Sequence, residues 1–337
     1  MKKPFAMLTA FALCCLALPM RAADPADFLP AKSPALLHMD GARLARLQWI
    51  KEQVAQDKDL AALSAALDAL YAKHNLSEKD FCSGSVYLAG DEDKFAFYAQ
   101  TNVKEAVLPA LAADLFALDK NKDEKLSLDT KTIAGRKVYV FKRTVKKTDA
   151  DGGADSDENE LALTYLAPDV VMGFDPDDGE KLLKLAPGKP ALLAKIDRSQ
   201  LLSLAVDAAC DKDWSEQFSS AYLNMNLTGA NQKDLSLLAD VDFPTKEKAQ
   251  ELGTQLQMML PMGIGMLFGK DQKLAGELMQ SWKVSTPSEK QLRLAVQLPE
   301  AVLKAVCDYL QKPENLNAGQ AAEPAPGQAA PAPAKAN

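Results

Sequence analysis

Along most of this chain apolar residues alternate with polar ones in short runs, and the runs come in pairs separated by turn residues. Residues 35–39 (Ala-Leu-Leu-His-Met) form a first apolar strand ending on Asp40, which can cap the next helix. In residues 43–73 the period changes: Leu44, Leu47, Val54, Leu60, Leu63, Leu67 and Leu70 fall close to every 3.6 residues, predicting a helix. Residues 85–89 and 94–99 then alternate around Gly90-Asp91-Glu92-Asp93, the pattern of a hairpin. A helix is predicted over 103–118. Two more hairpins follow, 131–134 with 137–141 around Gly135-Arg136, and 161–166 with 170–174 around Ala167-Pro168-Asp169. Asp175-Pro176-Asp177-Asp178 marks a further helix start, with a cap, a proline and acids where the helix dipole favours them. Residues 149–160, rich in glycine and acids, read as a flexible loop.

The second half repeats this order in shortened form. Pro34-Ala35-Leu36-Leu37 returns as Pro190-Ala191-Leu192-Leu193, and Asp40 as Asp197, so 191–196 is predicted as the matching strand. A helix over 199–209, a hairpin of 221–227 with 235–242, and a helix from Lys246 follow. The alternation of Leu292, Leu294, Val296 and Leu298 echoes that of Leu161, Leu163 and Tyr165. The expected architecture is therefore α+β: two related units of antiparallel sheet, 24–187 and 188–313, with helices packed on one face, arisen by a diverged tandem duplication. Residues 314–337 are Ala, Pro, Gly and Gln with little to pack, and are expected to be a disordered tail.

The first residues change the compartment. Lys2 and Lys3, an apolar stretch from Phe5 to Leu18, the helix-breaking Pro19 and the small Ala22 and Ala23 form the layout of a secretory signal peptide, residues 1–23, cut near Ala22 or Ala23. The apolar stretch is shorter than the ~20 residues a membrane span needs, so no transmembrane span is expected after cleavage, and the protein is expected to be periplasmic or secreted. Cleavage after residue 22 removes three cations and no acids, which leaves 36 Lys and Arg against 46 acids and a charge of −10. A chain so acidic lacks the cationic footprint that nucleic acid or an anionic membrane surface requires. Cys82, Cys210 and Cys307 remain in the mature chain; they are too few for a disulfide scaffold, and their pairing is open.

Phe28-Leu29-Pro30-Ala31-Lys32-Ser33-Pro34 leading to a strand and Asp40, then Ala134-Gly135-Arg136-Lys137-Val138-Tyr139 followed by the 161–174 hairpin and a helix, resembles bacterial exported proteins grouped as a domain of unknown function. Those chains similarly begin with a Leu-Pro-Ala opening and carry a Gly-x-x-Val-Tyr hairpin unit. The resemblance implies an exported α+β protein and no catalytic residue.

Candidate chemistry is sparse. Asp119, Asn121, Asp123 and Ser127 occupy positions 1, 3, 5 and 9 of a calcium loop of the EF-hand type, but position 6 is Glu124 where glycine is needed, and position 12 is Thr130 where a bidentate glutamate closes the cage. A charged, solvated loop is the expectation there. His38 and His74 are the only histidines, which leaves little room for imidazole catalysis or histidine metal sites; His38, opposite in direction to Leu37 and Met39, is expected to be exposed. Met258, Met259, Met262 and Met266 lie in the most apolar segment, 256–268, interrupted by Pro261, Gly263 and Gly265. They are expected in a buried, kinked helix, or alternatively lining a groove for a lipid or a partner helix. With no nucleophile motif and no phosphate loop, the chain reads as a non-enzymatic envelope binding or interaction module without a cofactor. An envelope protein or a small apolar ligand is the expected partner. A carrier of an apolar ligand or lipid, and a periplasmic enzyme with carboxylate chemistry, are the alternatives.

Overall fold

The structure is a computed structural model, and residues 23–45, 55, 58–76, 84–91, 94–118, 124–148, 154–210, 212–229 and 233–310 are described. Residues 1–22 of the predicted signal peptide, the tail, Asp119, Asn121 and Asp123 lie outside the described residues, as do 46–54, 56 and 57 of the first predicted helix.

Among the described residues twelve antiparallel strands form one sheet in the order β11-β12-β10-β9-β8-β1-β2-β3-β7-β6-β5-β4. They are β1 (Ala35–Asp40), β2 (Ser85–Asp91), β3 (Lys94–Gln100), β4 (Glu124–Ile133), β5 (Arg136–Thr148), β6 (Ala154–Ala167), β7 (Val170–Phe174), β8 (Leu202–Asp207), β9 (Ser220–Thr228), β10 (Asp234–Asp242), β11 (Trp282–Ser288) and β12 (Gln291–Leu298). The helices are α1 (Gly41–Ala45), α2 (Lys58–Lys73), α3 (Leu108–Leu118), α4 (Gly179–Lys184), α5 (Lys212–Gln217), α6 (Lys246–Phe268), α7 (Gln272–Gln280) and α8 (Glu300–Leu310), with 3-10 turns at Pro25–Phe28, Pro176–Asp178, Ala191–Lys195 and Ala208–Cys210. The α+β class is as expected, and so are the hairpins β2–β3, β6–β7 and β9–β10. Gly135, at φ 77°, and Ala134, at φ 48°, turn the chain between β4 and β5, where only a glycine adopts such a backbone at no steric cost.

The two halves meet at a seam between β1 and β8, where Leu37 faces Leu204. One row crosses the sheet outward from that pair. Toward one edge it passes Leu88, Phe97, Gly173 and Leu163; toward the other, Leu223, Ala239, Leu294 and Val284. Successive residues along a strand alternate side-chain direction, so the register sorts residues into two faces. On the face that carries this row, α2 and α3 pack over Tyr139 and Phe141. On the same face at the other end, α6 packs over Val241, Val284 and Leu292, and with α7 and α8 encloses Ile264, Phe268, Leu274, Val302 and Tyr309. The opposite face carries Leu36, Tyr87, Ala89, Ala96, Tyr98 and Phe174, capped by Ala26, Leu29, Leu182, Leu192 and Ile196 from the 3-10 turns, α4 and their flanks. The longer helices share one face, but the sheet is covered on both.

Three expectations are corrected. Residues 191–196 are not a strand: Pro190, with no N–H to give a ladder, opens a 3-10 turn over Ala191–Lys195. Nor are residues 199–209 a helix; Leu202-Ser203-Leu204-Ala205-Val206-Asp207 is β8, an alternating run that seals the seam. Asp40 and Asp197 therefore sit in unlike elements, and the match of Pro34–Asp40 to Pro190–Asp197 is a coincidence of sequence. Asp40 does cap: its Oδ1 accepts from Arg43 N at 3.0 Å, and Asp207 at the end of β8 does the same for Ala209 N at 3.0 Å. Finally, most of the expected 149–160 loop is strand. β6 starts at Ala154 and pairs with β5 from Thr148↔Ala154 inward, with Lys142 ion-paired to Glu160 across the ladder.

Candidate functional site

Two places in the fold hold side chains that packing alone does not explain. The first is α6. Thr245 caps it, its hydroxyl accepting from Lys248 N at 3.3 Å, and the helix runs unbroken through Pro261 to Phe268. Its inner stripe is Ala249, Leu252, Gly253, Leu256, Leu260, Ile264 and Phe268, at the three- and four-residue spacing that faces a core. At ~100° per residue, Met258, Met262 and Met266 fall on the side away from that stripe with Met259 beside them, while Leu267, at the last turn, falls on the side of the stripe itself. These five are between 59% and 76% exposed. The methionines are thus not buried, contrary to the expectation of a buried, kinked helix: they form an exposed apolar ridge. A helix apolar on both sides is ordinary in a core and unusual facing water. From Leu252 to Gly269 no residue carries a charge.

The second is a polar row on the opposite face. His38 pairs in register with Tyr87 on β2 and Ser203 on β8, and Ser203 with Asn224 on β9. His38 is 1% exposed, not the open position its alternation predicts, because β1 lies mid-sheet beneath the cap formed by Pro25–Phe28 and Ala191–Lys195. Its Nε2 lies 3.0 Å from Ser85 Oγ, and its ring centroid 5.0 Å from that of Tyr87. Ser203 donates to Asn224 Oδ1 at 2.6 Å and accepts from Asp197 N at 3.1 Å. Arg198 lies over the Tyr87 ring and donates to Asp24 Oδ2 at 2.6 Å. Among the described residues His38 Nδ1 and Tyr87 Oη are buried without a hydrogen-bond partner.

A serine beside a histidine invites comparison with a nucleophile and its base, but the chemistry fails. Burial, and secondarily the Arg198 charge, push the His38 pKa down to about 4, so the imidazole is a weak base. Among the described residues no carboxylate hydrogen-bonds Nδ1 to orient the ring. Carboxylate chemistry finds no support either: among the described carboxyl groups with a shifted pKa, Asp114, Glu180, Asp197 and Glu247, every shift is downward. Hydrogen bonds cause each, from Lys73, Lys184, Ser199 and the Glu247 backbone in turn. A general acid needs the opposite shift.

Of the calcium candidates only Ser127 is described, and it lies within β4, paired with Lys142. Thr130 at position 12 is mid-strand against Tyr139, so an EF-hand's exiting helix is replaced by a ladder. Millimolar calcium is expected to leave the melting temperature within about 1 °C; a rise abolished by Asp119→Ala and Asp123→Ala would show a site there, since a ligand of the native state stabilises by mass action.

No known family model matches this chain, and no curated protein does. Two solved structures are similar to it, crystal forms III and IV of a protein named TP0453. Each has a TM-score of 0.42, at 10% and 8% identity, over 86% and 85% of this chain and 99% and 96% of theirs. No described helix is long and apolar enough to cross a membrane, which says nothing of a β-barrel.

Proposed function

We propose that this is an exported, non-enzymatic envelope protein, periplasmic or secreted, whose binding element is the outer face of α6. The observation that carries the reading is the ridge of Met258, Met259, Met262 and Met266, four large apolar side chains presented to water by a helix already anchored from behind. Leaving such a ridge bare costs on the order of 1.5–3 kcal/mol per side chain relative to burial, and monomeric proteins rarely keep contiguous apolar patches of more than a few hundred Å². Methionine is well suited to such a face, because an unbranched, polarizable side chain adapts to a partner's surface. The resemblance to exported proteins of unknown function, and the predicted signal peptide, belong to the same proposal.

Methionine oxidation tests it. With peroxide, all four methionines in dilute purified protein are expected to become sulfoxides quickly, and to be protected at least about fivefold in intact envelopes, because a covered thioether is not reached. Equal oxidation in both settings would remove the ridge as a binding face.

The half-buried leucines near the seam, Leu37, Leu88, Leu204, Leu223 and Leu237 with Met225, favour a second reading, a carrier of an apolar ligand. They share the helix-bearing face and belong to neither of the two large clusters under its helices. A co-purified apolar molecule seen by native mass spectrometry would favour it. As for architecture, β1-β2-β3-β7-β6 and β8-β9-β10-β12-β11, counted outward from the seam, support two diverged units with Leu37 and Leu204 as equivalents, in place of the correspondence the sequence suggests.

A further inference from the structure

The outer face of α6 is graded along its length. At ~100° per residue, Lys248, Glu251, Gln255, Met258, Met262, Met266 and Gly269 fall within one stripe, with Glu247 and Gly265 at its margin. It starts with two acids and one cation, Glu247, Glu251 and Lys248, is methionine in the middle, and ends in glycine followed by Lys270 and, at the start of α7, Lys273. Gly265 has no internal reason to be glycine: it sits at an exposed helical position, and a Cβ there would meet nothing within 4 Å. Glycine inside a helix is unfavourable relative to alanine, so a missing side chain over open space points to a close approach from outside the chain.

We propose that the occupant of this face is a second copy of this chain, with two α6 helices crossing antiparallel about a two-fold axis near Met262. This rests on the reading of the ridge as a binding face. An isologous contact requires a self-complementary surface, and the gradient supplies one. With Met262 on the axis, Met258 lies opposite the partner copy's Gly265 and Met266, so a knob meets a hole. Glu251 points toward the partner copy's Lys270 and Lys273, and the helix dipoles oppose favourably. No charge lies between Leu252 and Gly269 to be buried unpaired. A bilayer is a poorer match, since interfacial helices are rich in Lys and Arg, whereas here the first turns of the face carry Glu247 and Glu251 against Lys248 and the mature chain is acidic. The uncharged segment is ~27 Å long, so the contact falls at the small end of specific interfaces, and association is expected at micromolar concentration.

Sedimentation of the full mature protein between about 1 and 500 μM is expected to show a reversible monomer–dimer equilibrium. Gly265→Leu, which fills the hole, and Met258→Glu, which puts a charge in it, should each raise the dimer dissociation constant at least about tenfold. Neither should unfold the protein, and Gly265→Leu should raise the melting temperature of the dilute monomer, because leucine is the better helix former. A purely structural role for Gly265 would not give a more stable chain that no longer dimerises. Peroxide footprinting separates the two readings. Protection that appears in concentrated pure protein supports the dimer. Protection found only in intact envelopes overturns the dimer and leaves the binding face standing, while protection in neither overturns both. A chain that stays monomeric at 500 μM, or a dimer indifferent to both substitutions, also overturns the proposal.

Discussion

Gly173→Ala is expected to destabilise the fold by about 3 kcal/mol, the upper end of what overpacking costs. Gly173 lies in β7, a strand buried along its whole length, and stands opposite Phe97 on β3 and Leu163 on β6. The Phe97 ring lies across Gly173 and takes the space of the missing side chain, so that a Cβ at 173 would fall inside the ring. An aromatic over a strand glycine covers backbone that would otherwise be bare. The ring cannot move without loosening its contacts with Val86, Ala99 and Val171, the small cluster on the helix-bearing face. Urea denaturation checks the loss. Because the cost is one collision, Phe97→Leu should relieve it: the double variant is expected to be more stable than the sum of the single changes by about 1 kcal/mol or more. Strict additivity, or a loss below about 0.5 kcal/mol, would sink this account of the glycine. Gly265 is the internal contrast, a glycine over open space.

The hairpins were legible because strict alternation and turn residues agree, as in 85–99 around Gly90 and 161–174 around Pro168. The seam strand β8 was not, since Leu201, Leu202, Leu204 and Ala205 satisfy a helical spacing as well as an alternating one, and a six-residue run cannot separate the two. The tertiary partner β1 decided it. Its own signal lay in Leu202-x-Leu204-x-Val206-Asp207, a better echo of Leu37-x-Met39-Asp40 than the more literal repeat at Pro190. Alternation also failed at His38, because polarity shows which residues share a face and not whether that face is capped from elsewhere in the chain. The α6 ridge was half visible. Leu252, Leu256, Leu260, Ile264 and Phe268 already supply a complete inward stripe, so a second apolar stripe 90–180° away had nowhere inside to go. Local apolar density obscured that inference, as it reads the same for a helix buried all round.

Between pH 6.5 and pH 4 the protein is expected to lose on the order of 3 kcal/mol of stability through His38 alone. The ring is closed off by Tyr87 on β2, Ser203 on β8 and the capping turns. Burial is the main cause disfavouring the imidazolium, Arg198 repels it as well while Asp40, Asp24 and Asp197 act the other way, and the folded pKa is left at about 4 against 6.5 for an open histidine. As pH falls through 6.5 the unfolded chain takes up the proton and the folded chain does not, which favours unfolding. The contribution is therefore complete above pH 6.5, shrinks as pH falls, and is gone once the folded ring also protonates near pH 4. Carboxylates held below their ordinary values, such as Asp197 and Asp114, lose their contribution only at lower pH, so the windows separate. Urea midpoints measured from pH 7.5 to 4.5 should fall steadily in the native sequence. In His38→Leu, which keeps an apolar side chain in the cap but cannot titrate, the fall should be smaller by about 3 kcal/mol at pH 4.5, even though the variant starts less stable at pH 7.5. An equal slope in both proteins would mean that the seam does not hold His38 neutral, and that its buried Nδ1 finds in solution a partner that stabilises the charged ring.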